Sequence, residues 1–340
     1  MTNSDSTFAQ KVPSDLDCPY ANSGAIYLVL DAPAAKDDEP PPSSSSLPKN
    51  FRTMTDNWHR QAGPTPPSRV GLDTLNASGS AQFCKNQLKQ MVSSRKVTLP
   101  MTIVDLRQES HGFFRISQPL AGESTIAVGW YAERDWMNIG KDLVSIDADE
   151  NFRLNSSLLD PDLKVNEIKS DTKEGGICTA QPYPVQMTGW FTEQQIATGV
   201  GAGYIRLPST DHVRPRDGEV DQFVAFDTTL SLGTWLHFHC RGGDGRTTTF
   251  LAMHDIINNA PQVSVDDILL RQYLLGGINL DDTQPGDPTS FKYPFAVERA
   301  DFMRDFYTYV QDEKPGGFKV TWSSWVLSRM VQPPLVASSV

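Results

Sequence analysis

The chain has 340 residues, 39% of them hydrophobic and 21% charged, enough to bury a sizeable core and to exclude disorder along its whole length. The formal net charge of −11 argues against nucleic acid as a partner, and no apolar run reaches the roughly 18 residues of a membrane-spanning helix. Four cysteines, Cys18, Cys84, Cys178 and Cys240, show no regular spacing and read as a reduced or redox-indifferent set, not a disulfide framework.

In chain order, residues 1–48 read as a poorly ordered segment. Its Lys36–Pro48 stretch joins a proline run to four serines, a composition that buries too little apolar area to offset its ordering entropy. The apolar stretch Ala25–Leu30 is too short for a signal-peptide core, and no basic region precedes it. From Phe51 the pattern turns globular. Residues 51–115 carry nine Lys/Arg against four Asp/Glu, a basic island in an acidic chain and a candidate anion-binding surface. Val97–Leu106 reads as a strand, followed by the polar loop Arg107–Gly112. Residues 116–185 hold short alternating runs and turn signals, and read as a small β-rich, partly barrel-like insertion. A helix is expected near Thr192–Ala197, a strand at Tyr204–Leu207, a helix at Glu219–Leu230 and a strand at Trp235–His239. Helices follow after Arg246, after a cap at Ser264, and along the face Phe302, Met303, Phe306, Tyr309 and Val310. Strands alternating with helices predict an α/β layer fold, with residues 49–115 and 186–335 forming its main domain.

The chemistry concentrates in His239-Cys-Arg-Gly-Gly-Asp-Gly-Arg-Thr247, between an expected strand and an expected helix. A cysteine near a helix N-terminus meets free backbone N–H groups and the positive end of the dipole, which favour a thiolate. Gly242, Gly243 and Gly245 let the loop curl so that its N–H groups, with those of Arg241 and Asp244, cradle an oxyanion. Arg246 can offer its planar fork to two phosphate oxygens, and Thr247 its hydroxyl to the sulfur. A thiolate beneath a bound phosphate is placed for in-line attack. The leaving oxygen then needs a proton, and Asp211, in the turn after the 204–207 strand, is the expected general acid and later base. Three other readings compete: an inert buried cysteine, a metal held by His237, His239 and Cys240, and sulfur transfer or arsenate reduction. The metal reading lacks an obvious fourth ligand and leaves Arg246 without a task.

These residues match the signature H-C-x5-R-[ST] and resemble the protein-tyrosine-phosphatase superfamily. Further strings narrow the resemblance to the bacterial tyrosine-phosphatase-like phytases: Val104–Gly112, Trp130–Trp136, Thr210–Val213, Trp235–Cys240, and Arg271-Gln272 with Gly276-Gly277, spanning roughly residues 48–328. The resemblance implies a tyrosine-phosphatase-like α/β domain with a central sheet flanked by helices and a partial β-barrel, without metal or cofactor. It places Cys240 at the nucleophile, Arg246 at the phosphate clamp and Asp211 at the general acid. Asp135 and His212 fall near the substrate, and Arg52 matches an arginine that contacts a neighbouring phosphate. Lys292 and Arg299 stand where the family carries basic contacts, and Lys173 is a further candidate lysine. The loop departs from the commonest family string E-A-G-V-G: Arg241 adds a positive charge, and Asp244 is expected to point away or to pair with a base.

The expected activity is hydrolysis of inositol hexakisphosphate and lower inositol polyphosphates through a cysteinyl-phosphate. The rivals are a phosphatase for phosphotyrosine or inositol lipids, and a non-catalytic phosphate-binding module. The polar N-terminus is compatible with an effector delivered into host cells, with a cytoplasmic enzyme, or with a leader removed.

Overall fold

A computed structural model describes residues 25–36, 47–93, 97–98, 100–118, 122–172, 174–282 and 286–331. In chain order these form β1 (Tyr27–Lys36), β2 (Arg52–Thr53), β3 (Ala77–Ser80), α1 (Lys85–Ser93), β4 (Met101–Arg107), β5 (His111–Gln118), β6 (Gly122–Tyr131) and α2 (Leu143–Leu158). There follow β7 (Lys164–Val165), β8 (Ile168–Asp171), β9 (Ile177–Thr179), β10 (Tyr183–Pro184), β11 (Met187–Phe191), α3 (Glu193–Thr198) and β12 (Gly203–Ser209). The chain then runs through α4 (Asp217–Thr228), β13 (Trp235–His239), α5 (Gly245–Asn259), α6 (Val265–Leu274), α7 (Tyr293–Glu313) and α8 (Trp322–Val331).

The central sheet has the order β12-β4-β13-β3-β2. The first four strands are parallel, and β2 closes the edge antiparallel. A parallel sheet must be covered on both faces, and the alternation in β13 shows how. Leu236 and Phe238 enter a core built with α4 to α8, including Phe223, Phe250, Phe302, Phe306 and Trp322. Trp235 enters a second core with Leu88 and Met91 of α1 and Ile196 and Ala197 of α3. The expected helical face Phe302, Met303, Phe306, Tyr309 and Val310 is buried at every position on α7. Local signals agree with these ends. Thr192 and Gln195 make a reciprocal capping box on α3, and the Ser264 hydroxyl accepts the Asp267 N–H at the start of α6.

Three features depart from the sequence reading. β1 lies inside the stretch expected to lack order, yet it pairs with β6 from Tyr27↔Tyr131 to Lys36↔Ser124. Residues 1–24 and 37–46 lie outside the described residues. Within 116–185 the chain forms α2, a helix of 16 residues. Its inward positions are Ile146, Glu150, Leu154 and Ser157, whereas Val144 and Phe152 are exposed, so no single apolar stripe announces it. The second sheet is antiparallel in the order β1-β6-β5-β11 and draws on chain from both sides of 116–185. Among the described residues its outer strands β1 and β11 are unpaired with each other, so the sheet is open there. Cys178 is disulfide-bonded, against the reduced reading, while Cys84 and Cys240 stand outside any disulfide and are buried. Cys18 lies outside the described residues.

Candidate active site

Four parallel strands end at one edge of the central sheet, and in open α/β sheets that edge is where ligands bind. β3 delivers Ala81 and Gln82 there, β4 delivers Glu109, β12 delivers Asp211, and β13 delivers Cys240. A cavity of about 900 Å³ opens at this edge and is lined by Cys240, Gly242, Gly245, Gln82, His212 and Ala296 among others.

The Cys240–Asp244 loop turns from β13 into α5. Cys240 is 3% exposed. Its Sγ accepts from the Gly243 N–H at 3.3 Å and from the Thr247 hydroxyl at 3.2 Å. Gly243 has φ of 74°, and a Cβ there would stand 2.3 Å from the Ala81 nitrogen and 2.5 Å from the Ser80 carbonyl carbon. The left-handed turn and the backbone contact both demand glycine. Gly243→Ala is therefore expected to cost about 1–3 kcal/mol of strain and to collapse turnover with it. At Gly242 the nearest atom to an added Cβ is 3.4 Å away, so Gly242→Ala loses far less. Thermal melting and phosphate release measured side by side check the pair.

Arg246 is buried at the start of α5, and its orientation is fixed by a residue the sequence reading did not single out. Glu109 accepts from Nη1 at 2.7 Å and from Nη2 at 3.1 Å, a bidentate pair. Burial alone would raise the Glu109 carboxyl, but Arg246 and Arg107 outweigh it and hold it well below the carboxylate range. With Glu109 across the Nη1–Nη2 end, the Nε edge faces Asp211, whose Oδ1 lies 3.2 Å away. Asp211 Oδ1 also accepts the His212 N–H at 2.9 Å. Burial raises the Asp211 carboxyl, and Arg246 and His212 together bring it below its ordinary value. The Trp136 indole holds the Asp211 carbonyl at 3.0 Å, anchoring the turn.

His237 and His239 point away from Cys240's partners into a buried polar layer. His237 bonds Ser78 and Ser80, and burial and then the neighbouring His239 push it down to about 3, so it is neutral. His239 Nε2 lies 2.5 Å from Glu193, which the sequence reading also missed. Asp105, His111 and Glu193 come within 4.8 Å of one another, close enough for a cation. The same carboxylates are already engaged from within: His111 Nε2 lies 3.2 Å from Asp105 and 3.4 Å from Glu193, and Arg206 lies 3.4 Å from Asp105, so the group is an internal ion network. Asp135, Asp211 and His212 form a second close group at the cavity, where the Asp211 carboxylate already faces Arg246.

The remaining expected contacts divide. Asp135, His212, Arg241, Lys292 and Arg299 all line the cavity. Lys292 caps α7 and Arg299 follows two turns on, which puts both on the face that carries Ala296. Arg299 is 9% exposed, and no hydrogen bond engages its Nε. Arg241 stacks 4.4 Å from the Tyr131 ring, with Asp135 at 3.4 Å and Asp31 of β1 at 3.6 Å. Asp244 lines the cavity and accepts from Asn50 Nδ2 at 3.0 Å. Burial raises its carboxyl against the pull of Arg52 and Lys49. Arg52 is different: it is 1% exposed, does not line the cavity, and bonds the loop from behind. No cation of residues 51–115 lines the cavity among the described residues, so the basic island is not its rim. Arg52 and Arg107 are instead buried. Lys173 lies outside the described residues.

Sheet order, the loop from β13 into α5, and the Cys240–Arg246–Asp211 grouping define a tyrosine-phosphatase-like α/β domain. The comparisons go further. The model of the PTP-like phytase family (inositol hexakisphosphate) matches residues 104–258. A PTP-like phytase structure from Bdellovibrio bacteriovorus is 31% identical with a TM-score of 0.62, and the match covers 91% of this chain and 97% of that one. The chain belongs to the PTP-like phytase family. The tandemly repeated PTP-like phytase from Mitsuokella multacida is 36% identical with a TM-score of 0.76 over 90% of this chain and 49% of that one. A PTP-like myo-inositol phosphatase from the same organism, solved with myo-inositol-(1,3,4,5)-tetrakisphosphate, matches at 36% identity and a TM-score of 0.74, covering 90% of this chain and 49% of that one. Effector protein hopD2 of Pseudomonas syringae pv. tomato is 26% identical over 75% of this chain and 52% of its own length. The chain thus spans about half the length of these Mitsuokella and Pseudomonas relatives.

Proposed function

We propose that the chain is a phosphomonoesterase that hydrolyses inositol polyphosphates through a cysteinyl-phosphate. One observation carries this reading: Cys240 Sγ sits under two donors, beside an Arg246 oriented by Glu109 and an Asp211 carboxyl at the same guanidinium. A phosphate monoester seated in the loop replaces Asp211 at the Nε edge of Arg246. The Cys240 thiolate attacks phosphorus; the S–P bond forms as the P–O bond to the inositol oxygen breaks. Asp211 gives its proton to that leaving oxygen, and Arg246 with the loop amides meets the charge on the transferring group. Asp211 then takes a proton from water as the water attacks phosphorus. The S–P bond breaks, orthophosphate leaves and the thiolate returns.

Support for the inositol phosphate class comes from the family match, from the Mitsuokella complex, and from a cavity that sets Lys49, Arg241, Lys292 and Arg299 around the thiol. Arg299 is the cation best placed for a second phosphate, because it is buried at the cavity with its Nε unengaged. Arg299→Ala should raise KM for inositol hexakisphosphate about tenfold, the loss of one charge-assisted bond of about 1.4 kcal/mol, and should leave a single-phosphate aryl ester almost unaffected. Steady-state kinetics on inositol hexakisphosphate, lower inositol phosphates, a phosphotyrosine peptide and phosphoinositide vesicles test both statements. Preferred turnover of the peptide or the vesicles would replace the substrate class, and binding without turnover across the panel would favour a non-catalytic module.

The similarity to effector hopD2 supports a second proposal, delivery into a host cell. A deletion testing it should stop before Tyr27, because β1 belongs to the second sheet and Asp31 lines the cavity. Loss of delivery with activity retained is the expected result.

A further inference from the structure

We infer that Asn50 and Arg52 are positioning residues that set the phosphate-binding loop from behind, and that Arg52 makes no contact with a substrate phosphate. The inference rests on the phosphatase reading above. Five successive carbonyl groups of the loop are bonded from outside the cup. Arg241 O accepts the Gln82 N–H at 3.0 Å. Gly242 O accepts from Asn50 Nδ2 at 2.8 Å, and Gly243 O from Arg52 Nη1 at 2.9 Å. Asp244 O accepts the Thr248 hydroxyl at 2.6 Å, and Gly245 O the Thr249 hydroxyl at 2.9 Å.

A planar trans peptide directs its C=O and the following N–H to opposite sides. Pinning each carbonyl outward therefore turns the next N–H inward. The Gly243 amide follows this rule: Gly242 O is held by Asn50, and the Gly243 N–H points at Cys240 Sγ. Among the described residues no acceptor takes the amides of Gly242, Asp244 or Gly245, which leaves them open to an oxyanion.

Asn50 and Arg52 carry the middle of this arrangement, where no helix supplies the bonds. Asn50 Nδ2 also bonds the Asp244 carboxylate at the cavity wall, so that one side chain engages a loop carbonyl and the loop's only acidic side chain. Arg52 spans further: Nη1 also bonds Asn50 O at 3.0 Å, and Nη2 reaches the Thr248 hydroxyl at 3.1 Å. One buried guanidinium thus ties β2, the loop and the first turn of α5 together. Burial lowers it to about 10, with Asp244 and Cys240 acting in the opposite direction, so it is charged at neutral pH. Its charge sits under the loop and adds to the field at the sulfur.

The test compares Arg52→Lys, which keeps the charge and loses the fork, with Asn50→Ala and Asn50→Asp, all in the full chain. Three quantities are measured: orthophosphate inhibition, kcat/KM for a single-phosphate aryl ester, and kcat/KM for inositol hexakisphosphate. A misplaced loop costs every oxyanion alike, so all three should worsen by a similar factor of about 10²-fold. Circular dichroism shows which variants are folded, and the Asn50 variants carry the test if Arg52→Lys is not. A loss confined to inositol hexakisphosphate, with orthophosphate binding intact, would make Arg52 a substrate contact and overturn the inference. Unaltered variants in an active parent would overturn it as well. A parent chain that neither binds orthophosphate nor cleaves either ester would overturn the phosphatase reading itself.

Discussion

Cys240→Ser is expected to abolish phosphate release, by at least about 10⁴-fold, while inositol phosphate binding survives. The serine hydroxyl keeps the size of the side chain and can still accept from the Gly243 N–H and the Thr247 hydroxyl. It differs in what it can become: an alcohol stays protonated where a thiol ionises, so the attacking atom is lost and the cup is preserved. The binding part of the prediction is as informative as the kinetic part. The oxyanion contacts come from loop amides and from Arg246, whose geometry is fixed by Glu109 and not by the sulfur. Phosphate-release assays and isothermal titration with inositol hexakisphosphate read the two parts separately.

The second large effect is at Asp211. Asp211→Asn should slow phosphoryl transfer about 10²- to 10⁴-fold for an inositol leaving group, and much less for a phenol that leaves without a proton. The pH profile follows from the charges around Asp211. In the free chain Arg246 and His212 outweigh burial and hold Asp211 below its ordinary value. The general acid works only when protonated, so kcat/KM falls as pH rises through that lowered value. A bound phosphate places negative charge beside Asp211 and takes over the Arg246 edge, and both changes raise the carboxyl. The descending limb of kcat should therefore lie at higher pH than that of kcat/KM. In Asp211→Asn this limb disappears. Profiles of kcat and kcat/KM for both proteins on inositol hexakisphosphate and an aryl phosphate decide the point.

Much of this arrangement was legible in the chain. The run from Trp235 to Thr247 carries a strand, a glycine-rich turn and a helix start in one string, and β13 and α5 appear where the string places them. Asp211 was reachable because the 204–207 strand ends just before it. The carboxylates that orient the machinery were harder to see. Glu109 and Glu193 meet Arg246 and His239 only because β4 lies beside β13 and α3 packs beneath the sheet, pairings with separations of 137 and 46 residues that no local pattern reveals. A rule was available for Glu109: an acidic residue just past a parallel strand shares the edge at which the neighbouring strands deliver their functional groups.

The misreadings have equally specific causes. The stretch 1–48 was judged by its proline and serine run, which hid a strand whose partner, β6, lies about a hundred residues away. The basic island was counted along the sequence, but the fold turns Arg52 and Arg107 inward to internal acceptors. Charge counted over a segment does not say which way its side chains face. Arg52 is buried away from the cavity and bonds Gly243 O, which is why it is proposed above as a strut behind the loop and not as a rim contact.

The most direct test is rapid acid quench of the Asp211→Asn chain during turnover of an aryl phosphate, followed by mass spectrometry of the peptide containing Cys240. Slowed hydrolysis should let the intermediate accumulate, and the phosphate should be found on Cys240 and be missing when Cys240 is also replaced by serine. Orthophosphate released at the parent rate with no adduct on that peptide, or with Cys240 replaced, would contradict the account.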